Sequence, residues 1–148
     1  DHQFEFVSKY ELLARLYGLL KQPARARAEY DSSRVLLERK VQEHPDDSRL
    51  HSALGIAYAG LGRKDDAIRE GKKGVEMLPI SKEAWRGTYR VRDLAHIYVM
   101  TGEPDAAMDQ LEHLLSIPSE ISVSLLRIDP RWAPLRGTPR FQTAVAEK

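Results

Sequence analysis

The sequence predicts an all-α chain: an α-solenoid of about three helix-turn-helix repeats with a C-terminal helical, proline-rich cap. Three observations carry that prediction. The stretch LGIAYAGLGRKDDA, Leu54 to Ala67, followed by Pro79, reads as helix, tight turn, helix. The same pattern recurs, degraded, on both sides at spacings of 41 and 40 residues. Beyond it, Ser124 to Gln142 holds Pro130, Pro134 and Pro139, which forbid one long helix, yet is too apolar for a free tail. Self-similarity at such a period marks a stacked helical array, because a lone hairpin cannot bury its apolar side and needs neighbours stacked upon it.

The repeat is read by columns. A Leu, a small residue and, three further on, a Tyr give Leu13, Ala14 and Tyr17, then Leu54, Gly55 and Tyr58, then Leu94, Ala95 and Tyr98. Lys21, Gly62 and Gly102 hold equivalent turn positions, and Ala26, Ala67 and Ala107 open the second helix of each block. The small residues and alanines let paired helices approach closely, while each Tyr fills the seam and keeps its hydroxyl near water.

Repeat 1 spans about residues 3–45. Its first helix begins around Phe4, Phe6, Val7 and Tyr10. Gly62 and Gly102 suit a left-handed C-cap and Lys21 does not, so the first turn is expected to be built differently. Pro23 fits the opening of the second helix, where a missing N–H costs nothing; that helix runs without a breaker from about Ala24 to Glu43. Repeat 2, about 47–79, carries Asp46–Asp47 and Asp65–Asp66 at its helix starts, where capping and the helix dipole account for them. Gly71 and Gly74 fall inside its second helix at roughly 1 kcal/mol each against Ala, which marks either a close contact or a weak helix. Repeat 3, about 82–117, has a first helix lengthened by Trp85 to Tyr89, and Pro104 opens its second. In the cap, 118–148, Thr138 can cap a final helix with Pro139 at its first position. Leu125, Leu126, Ile128, Trp132, Leu135, Phe141 and Val145 are expected to fold back over repeat 3.

These columns resemble the tetratricopeptide repeat family over roughly Val7 to Ser116. The spacings exceed the family period of about 34 residues, and His51 stands where the family favours Trp. The resemblance implies a right-handed solenoid whose first helices line a concave groove. The terminal segment, with Asp129, Pro130, Trp132, Pro134, Leu135, Arg136, Pro139, Arg140, Phe141 and Gln142, is similar to the ending of many bacterial multidomain regulators. Those carry helical repeats behind a kinase, a nucleotide cyclase or a winged-helix domain. With Asp1 first in place of Met, the chain reads as the C-terminal module of such a protein, without the partner domain's activity.

Composition narrows the function. At 148 residues this is a single domain, with 30% charged and 42% hydrophobic residues, the balance of a soluble protein. A net charge of +1, with 15 Arg against 8 Lys spread along the chain, implies no bulk attraction to nucleic acid or membrane. No signal peptide and no apolar run near 18 residues is present; the compartment stays open, the cytoplasm preferred. Without Cys, a zinc site would need His and carboxylates alone, and His2, His44, His51, His96 and His113 form no HExxH pattern. Asp93 and His96 share a helix face by spacing, as chance on a solvated helix also provides. GLGRK at Gly60 to Lys64 is a helix–helix turn with no preceding strand, so it is not a phosphate loop. No metal, cofactor or enzymatic activity is therefore predicted.

What remains is the groove that the resemblance implies. Helical spacing places Arg15, Ile56 and His96 inward, then Glu11, Ser52 and Arg92, then Arg49 and Tyr89, with Met100 beside the stripe. An apolar floor between arginine walls suits a protein or peptide with acidic groups, since Arg pairs carboxylates in a bidentate way. The carboxylate clamp of chaperone-binding family members uses two Asn, and this chain has none. The predicted function is protein–protein interaction through that groove. The alternative is a self-association module, a homodimer held by Phe4, Phe6, Val7 and Tyr10; an enzyme is the remote third.

Overall fold

The computed structural model describes residues 3–146. His2, and Glu147 and Lys148 at the end of the expected cap, lie outside the described residues. The described chain is helical, with no strand among those residues. The helices are α1 (Lys9–Leu19), α2 (Pro23–Glu43), α3 (Ser48–Gly60), α4 (Lys64–Met77), α5 (Ala84–Met100), α6 (Pro104–Leu115), α7 (Val123–Ile128) and α8 (Pro139–Ala146). A 3-10 segment, Pro130–Leu135, joins α7 to α8.

Three sequential hairpins pair α1 with α2, α3 with α4, and α5 with α6. Neighbouring hairpins meet where α2 packs on α3 and where α5 packs on both α3 and α4. The central helices α3 and α5 are consequently buried on nearly every side, from Leu50 to Ala59 and from Arg90 to Tyr98. One apolar cluster joins Leu37, Leu54, Ile56, Tyr58 and Ile97; another joins Leu94, Met108 and Leu111 to Leu126, Trp132, Phe141 and Val145 of the C-terminal segment.

The three hairpin turns share one hydrogen-bond scheme. Gln22, Arg63 and Glu103 donate their backbone N–H to the carbonyls of Tyr17, Tyr58 and Tyr98 at 2.9, 2.9 and 2.8 Å. Lys21, Gly62 and Gly102 donate to Gly18, Ala59 and Val99, which completes a Schellman cap each time. Lys21 takes φ +59° beside +76° at both glycines, so the first turn is built like the others and the expected difference does not exist. The cap's two backbone bonds outweigh the steric cost of a Cβ there.

Other local details follow from the residues. Pro23 and Pro104 stand at the first position of α2 and α6. Asp47 caps α3, accepting from Arg49 N at 3.0 Å, and Thr138 caps α8, accepting from Phe141 N at 3.3 Å. Gly71 and Gly74 mark close contacts. A Cβ on Gly71 would sit 2.7 Å from Ile97 Cδ1, and one on Gly74 would collide with Ser52 Oγ. Gly55 faces the same seam, 2.9 Å from the Ala67 carbonyl by the same construction.

Several positions differ from the sequence reading. Helix α1 starts at Lys9, and Phe4 to Val7 lie outside any helix, with a bend at Phe4. Leu13 is exposed, whereas its column partners Leu54 and Leu94 are buried, because no described element lies ahead of α1 to cover it. Leu125 and Ile128 stay exposed on a helix too short to bury two faces. Tyr58 donates its hydroxyl to Glu38 at 2.8 Å in place of water, and Tyr17 is only half-buried.

Candidate functional site

The first half of α5 carries an unusual density of charge for a buried helix. Arg90 is fully buried, and Arg92 and Asp93 are nearly so. Such groups persist inside a protein only when paired and hydrogen-bonded. Their partners are one another and the segment Gln3 to Val7, which straps across the N-terminal half of α5; Nε and Nη1 of Arg90 and Nε of Arg92 have no hydrogen-bond partner among the described residues. Arg90 donates to the Phe4 carbonyl at 2.5 Å and lies 3.4 Å from Asp93. Arg92 donates to Glu5 at 2.5 Å and to Asp93 at 3.0 Å. Phe4 stacks on Tyr89 with ring centroids 5.3 Å apart, Arg92 lies over the same Tyr89 ring, and Lys40 of α2 lies over Phe6. Burial works against the Arg92 charge, and the carboxylates of Asp93 and Glu5 more than restore it, leaving its pKa raised.

The strap crosses open ground. At its start a cleft of about 510 Å³ runs from Gln3 and Phe4 to Asp47, Arg86 and Arg90. Farther along the strap, a cleft of about 530 Å³ runs from Glu5, Phe6 and Val7 to Lys40, His44 and Leu50, and shares His44, Asp47 and Arg49 with the first.

A third, smaller cavity of about 210 Å³ opens where α1, α2, α5 and the 3-10 segment converge. Ala14, Gly18, Leu19, Ala26 and Pro130 make its apolar lining, and Arg15, Tyr30, His96 and Arg131 its polar one. His96 is buried against Trp132, edge to face at 6.1 Å. Burial first, then the charges of Arg131 and Arg15, push its pKa down to about 3, so the ring is neutral. Glu11, one turn before Arg15, is buried too; burial and then Asp93 raise its carboxyl to about 7, Arg15 opposing.

The nine residues expected to line one groove therefore part company. Tyr89 and Arg92 meet the strap, and Arg15 and His96 meet at the small cavity. Ser52 is turned into the α3–α4 seam against Gly74, Ile56 lies in the core, and Met100 packs on the same cluster. Arg49 lies along the clefts and is paired with Asp47 at 2.8 Å, and Glu11 is buried. An open groove along all nine does not form, because α3 is wrapped on both sides and the strap covers part of α5. Glu5, Arg90 and Arg131 were not singled out by sequence reasoning. The alternation Phe4-Glu5-Phe6 was the signal for the strap, since it suits an extended segment better than a helix.

Asp93 serves the arginines and His96 faces Trp132, so the pair does not converge as a ligand set. Among the described residues no group of three His, Cys, Asp or Glu side chains could hold a metal ion, and no helix is long and apolar enough to cross a membrane. No family model, curated protein or solved structure matches the chain.

Proposed function

We propose that the chain is a protein-interaction module, a tetratricopeptide-like right-handed solenoid of three hairpins with a C-terminal cap. It receives an acidic peptide or protein segment on the face of α5 now covered by the strap. The observation that carries this reading is the strap's own chemistry. This non-helical segment places an aromatic ring on Tyr89, a carbonyl on Arg90 and a carboxylate on Arg92. A partner segment of the same kind would make the same contacts by displacing it, and the flanking clefts give it room. In this reading the module is the C-terminal part of a larger bacterial regulator, has no catalytic role, takes no nucleic acid itself and does not insert into membranes.

The test is fluorescence anisotropy with a labelled peptide containing Phe-Glu-Phe, against the chain and its Phe4→Ala/Glu5→Ala variant. Loosening the strap removes an internal competitor, so the variant should bind roughly tenfold more tightly or better. The Phe-Gln-Phe peptide should bind more weakly to both. Equal binding of the two peptides, or none to either protein, refutes the assignment.

A second reading, self-association, rests on a different surface from the one expected. Phe4, Phe6 and Val7 are half-buried in the strap, whereas α1 and its C-cap residue expose Leu12, Leu16, Leu19 and Leu20 at 55%, 48%, 60% and 54%. A contiguous apolar face of this kind is what one copy buries against another. Light scattering over a concentration series decides it, and a monomer at every concentration removes the reading.

A further inference from the structure

We propose that the cavity between α1, α2, α5 and the 3-10 segment is a binding site for a small carboxylate with an apolar body. Its chemistry is one-sided. Arg15 stands at the wall and forms no ion pair or hydrogen bond among the described residues. Arg131 stands opposite, held by Asp129 through contacts of 2.6 to 3.2 Å, so its position is fixed before any ligand arrives. His96 lines the same space at 7% exposure, and neither ring nitrogen has a hydrogen-bond partner among the described residues. The Tyr30 hydroxyl likewise has none. A largely buried histidine that lines a cavity and has no protein partner offers its ring nitrogens to a ligand that enters there.

The charge balance supports an anion. His96 feels Arg131, Arg15 and Arg92 as positive neighbours against Asp93 as a negative one, and Tyr30 feels Arg15 together with Glu11. Glu11 feels both Arg15 and Arg131, yet lies within ion-pair distance of neither among the described residues. A carboxylate on Arg15 would make the direct ion pair that this guanidinium lacks among the described residues, accept from it and take a hydrogen bond from His96 or Tyr30. The remaining wall is Ala14, Leu19, Ala26 and Pro130, which offers an apolar body contact area and no further polar partner. The volume of about 210 Å³ limits that body to something near a single ring. The source is either a free organic acid or the C-terminal carboxylate of a peptide ending in an apolar residue. This site is separate from the strap-covered face, and it stands or falls independently of the peptide reading above.

The experiment is NMR of the His96 ring signals in the whole chain, titrated with benzoate and, in parallel, with benzyl alcohol at matched ionic strength. A second arm uses a short peptide ending in Phe, as free acid and as amide. A ligand of roughly nine non-hydrogen atoms gives a dissociation constant of the order of a millimolar. Benzoate or the free-acid peptide should move the His96 signals saturably, and the neutral counterparts should not. Benzoate alone assigns a free acid, and the peptide alone assigns a chain terminus; either supports the site. Arg15→Gln should weaken binding roughly tenfold or more. Gly18→Leu should abolish it by filling the cavity, and it should fold, since a Cβ at Gly18 meets nothing within 4 Å. Absence of saturable shifts from both carboxylates, equal binding of the alcohol, or unchanged affinity in both variants overturns the proposal.

Discussion

Replacing Glu11 with Gln should change how the stability of this chain depends on pH. Glu11 sits in the first turn of α1, where Ser8 caps the helix by accepting from its N–H at 3.1 Å, and only 6% of it is exposed. Its carboxyl is raised from 4.5 to about 7 by burial, then by Asp93, with Arg15 opposing, Glu5 adding and Arg131 opposing. The folded state thus holds the proton more tightly than the unfolded one. Stability is greatest below about pH 4.5, where both states are protonated, and falls as pH rises through about 7. At about 1.4 kcal/mol per pKa unit, ionised Glu11 costs the fold roughly 3 kcal/mol above pH 7. Gln has the same shape and never ionises. Urea unfolding followed by circular dichroism should find Glu11→Gln close to the unaltered chain near pH 4.5 and more stable by up to about 3 kcal/mol near pH 8. The melting temperature should rise by several degrees at the higher pH only. A difference between the two proteins that stays constant across that range would show that Glu11 is ionised throughout, and the burial argument would be wrong.

Two further substitutions read the hairpin geometry. Gly55→Ala should destabilise by about 1 to 3 kcal/mol despite the better helix propensity of alanine, because the new methyl meets the Ala67 backbone carbonyl, which cannot step aside; a stabilised variant in urea unfolding would mean the α3–α4 seam is looser than described. Lys21→Gly should stabilise by up to about 1 kcal/mol, since glycine accepts φ +59° without the Cβ penalty, whereas the same measurement on Gly62→Ala should show a loss.

The local plan of the chain was readable because short-range chemistry writes it. The Leu, small and Tyr columns, the prolines that open α2 and α6, and the Asp47 and Thr138 caps each act within one or two turns of their own position. Lys21 shows the limit even there: residue preference argued against a left-handed turn, and the six-to-one bond from Gln22 to Tyr17 imposed it. Gly71 and Gly74 were legible only as a choice between contact and weakness, because the deciding atoms, on Ile97 and Ser52, lie on other helices.

The candidate site was much less legible. Helical spacing put Arg15, Arg92 and His96 on one stripe, and spacing says nothing about what covers a stripe. Glu5 reaches Arg92 across 87 positions and Arg131 meets His96's cavity across 35. By itself the sequence determined an all-helical chain with like turns at Gly62 and Gly102, since those rest on local periodicity and backbone sterics. Only the tertiary structure decided that α3 and α5 are enclosed, that Phe4 to Val7 strap a buried charge cluster, and that Arg15 and His96 share a cavity. Those outcomes depend on which distant surfaces meet, and the free energy of burying a charge or a ring is set by that meeting and by nothing in its immediate neighbours.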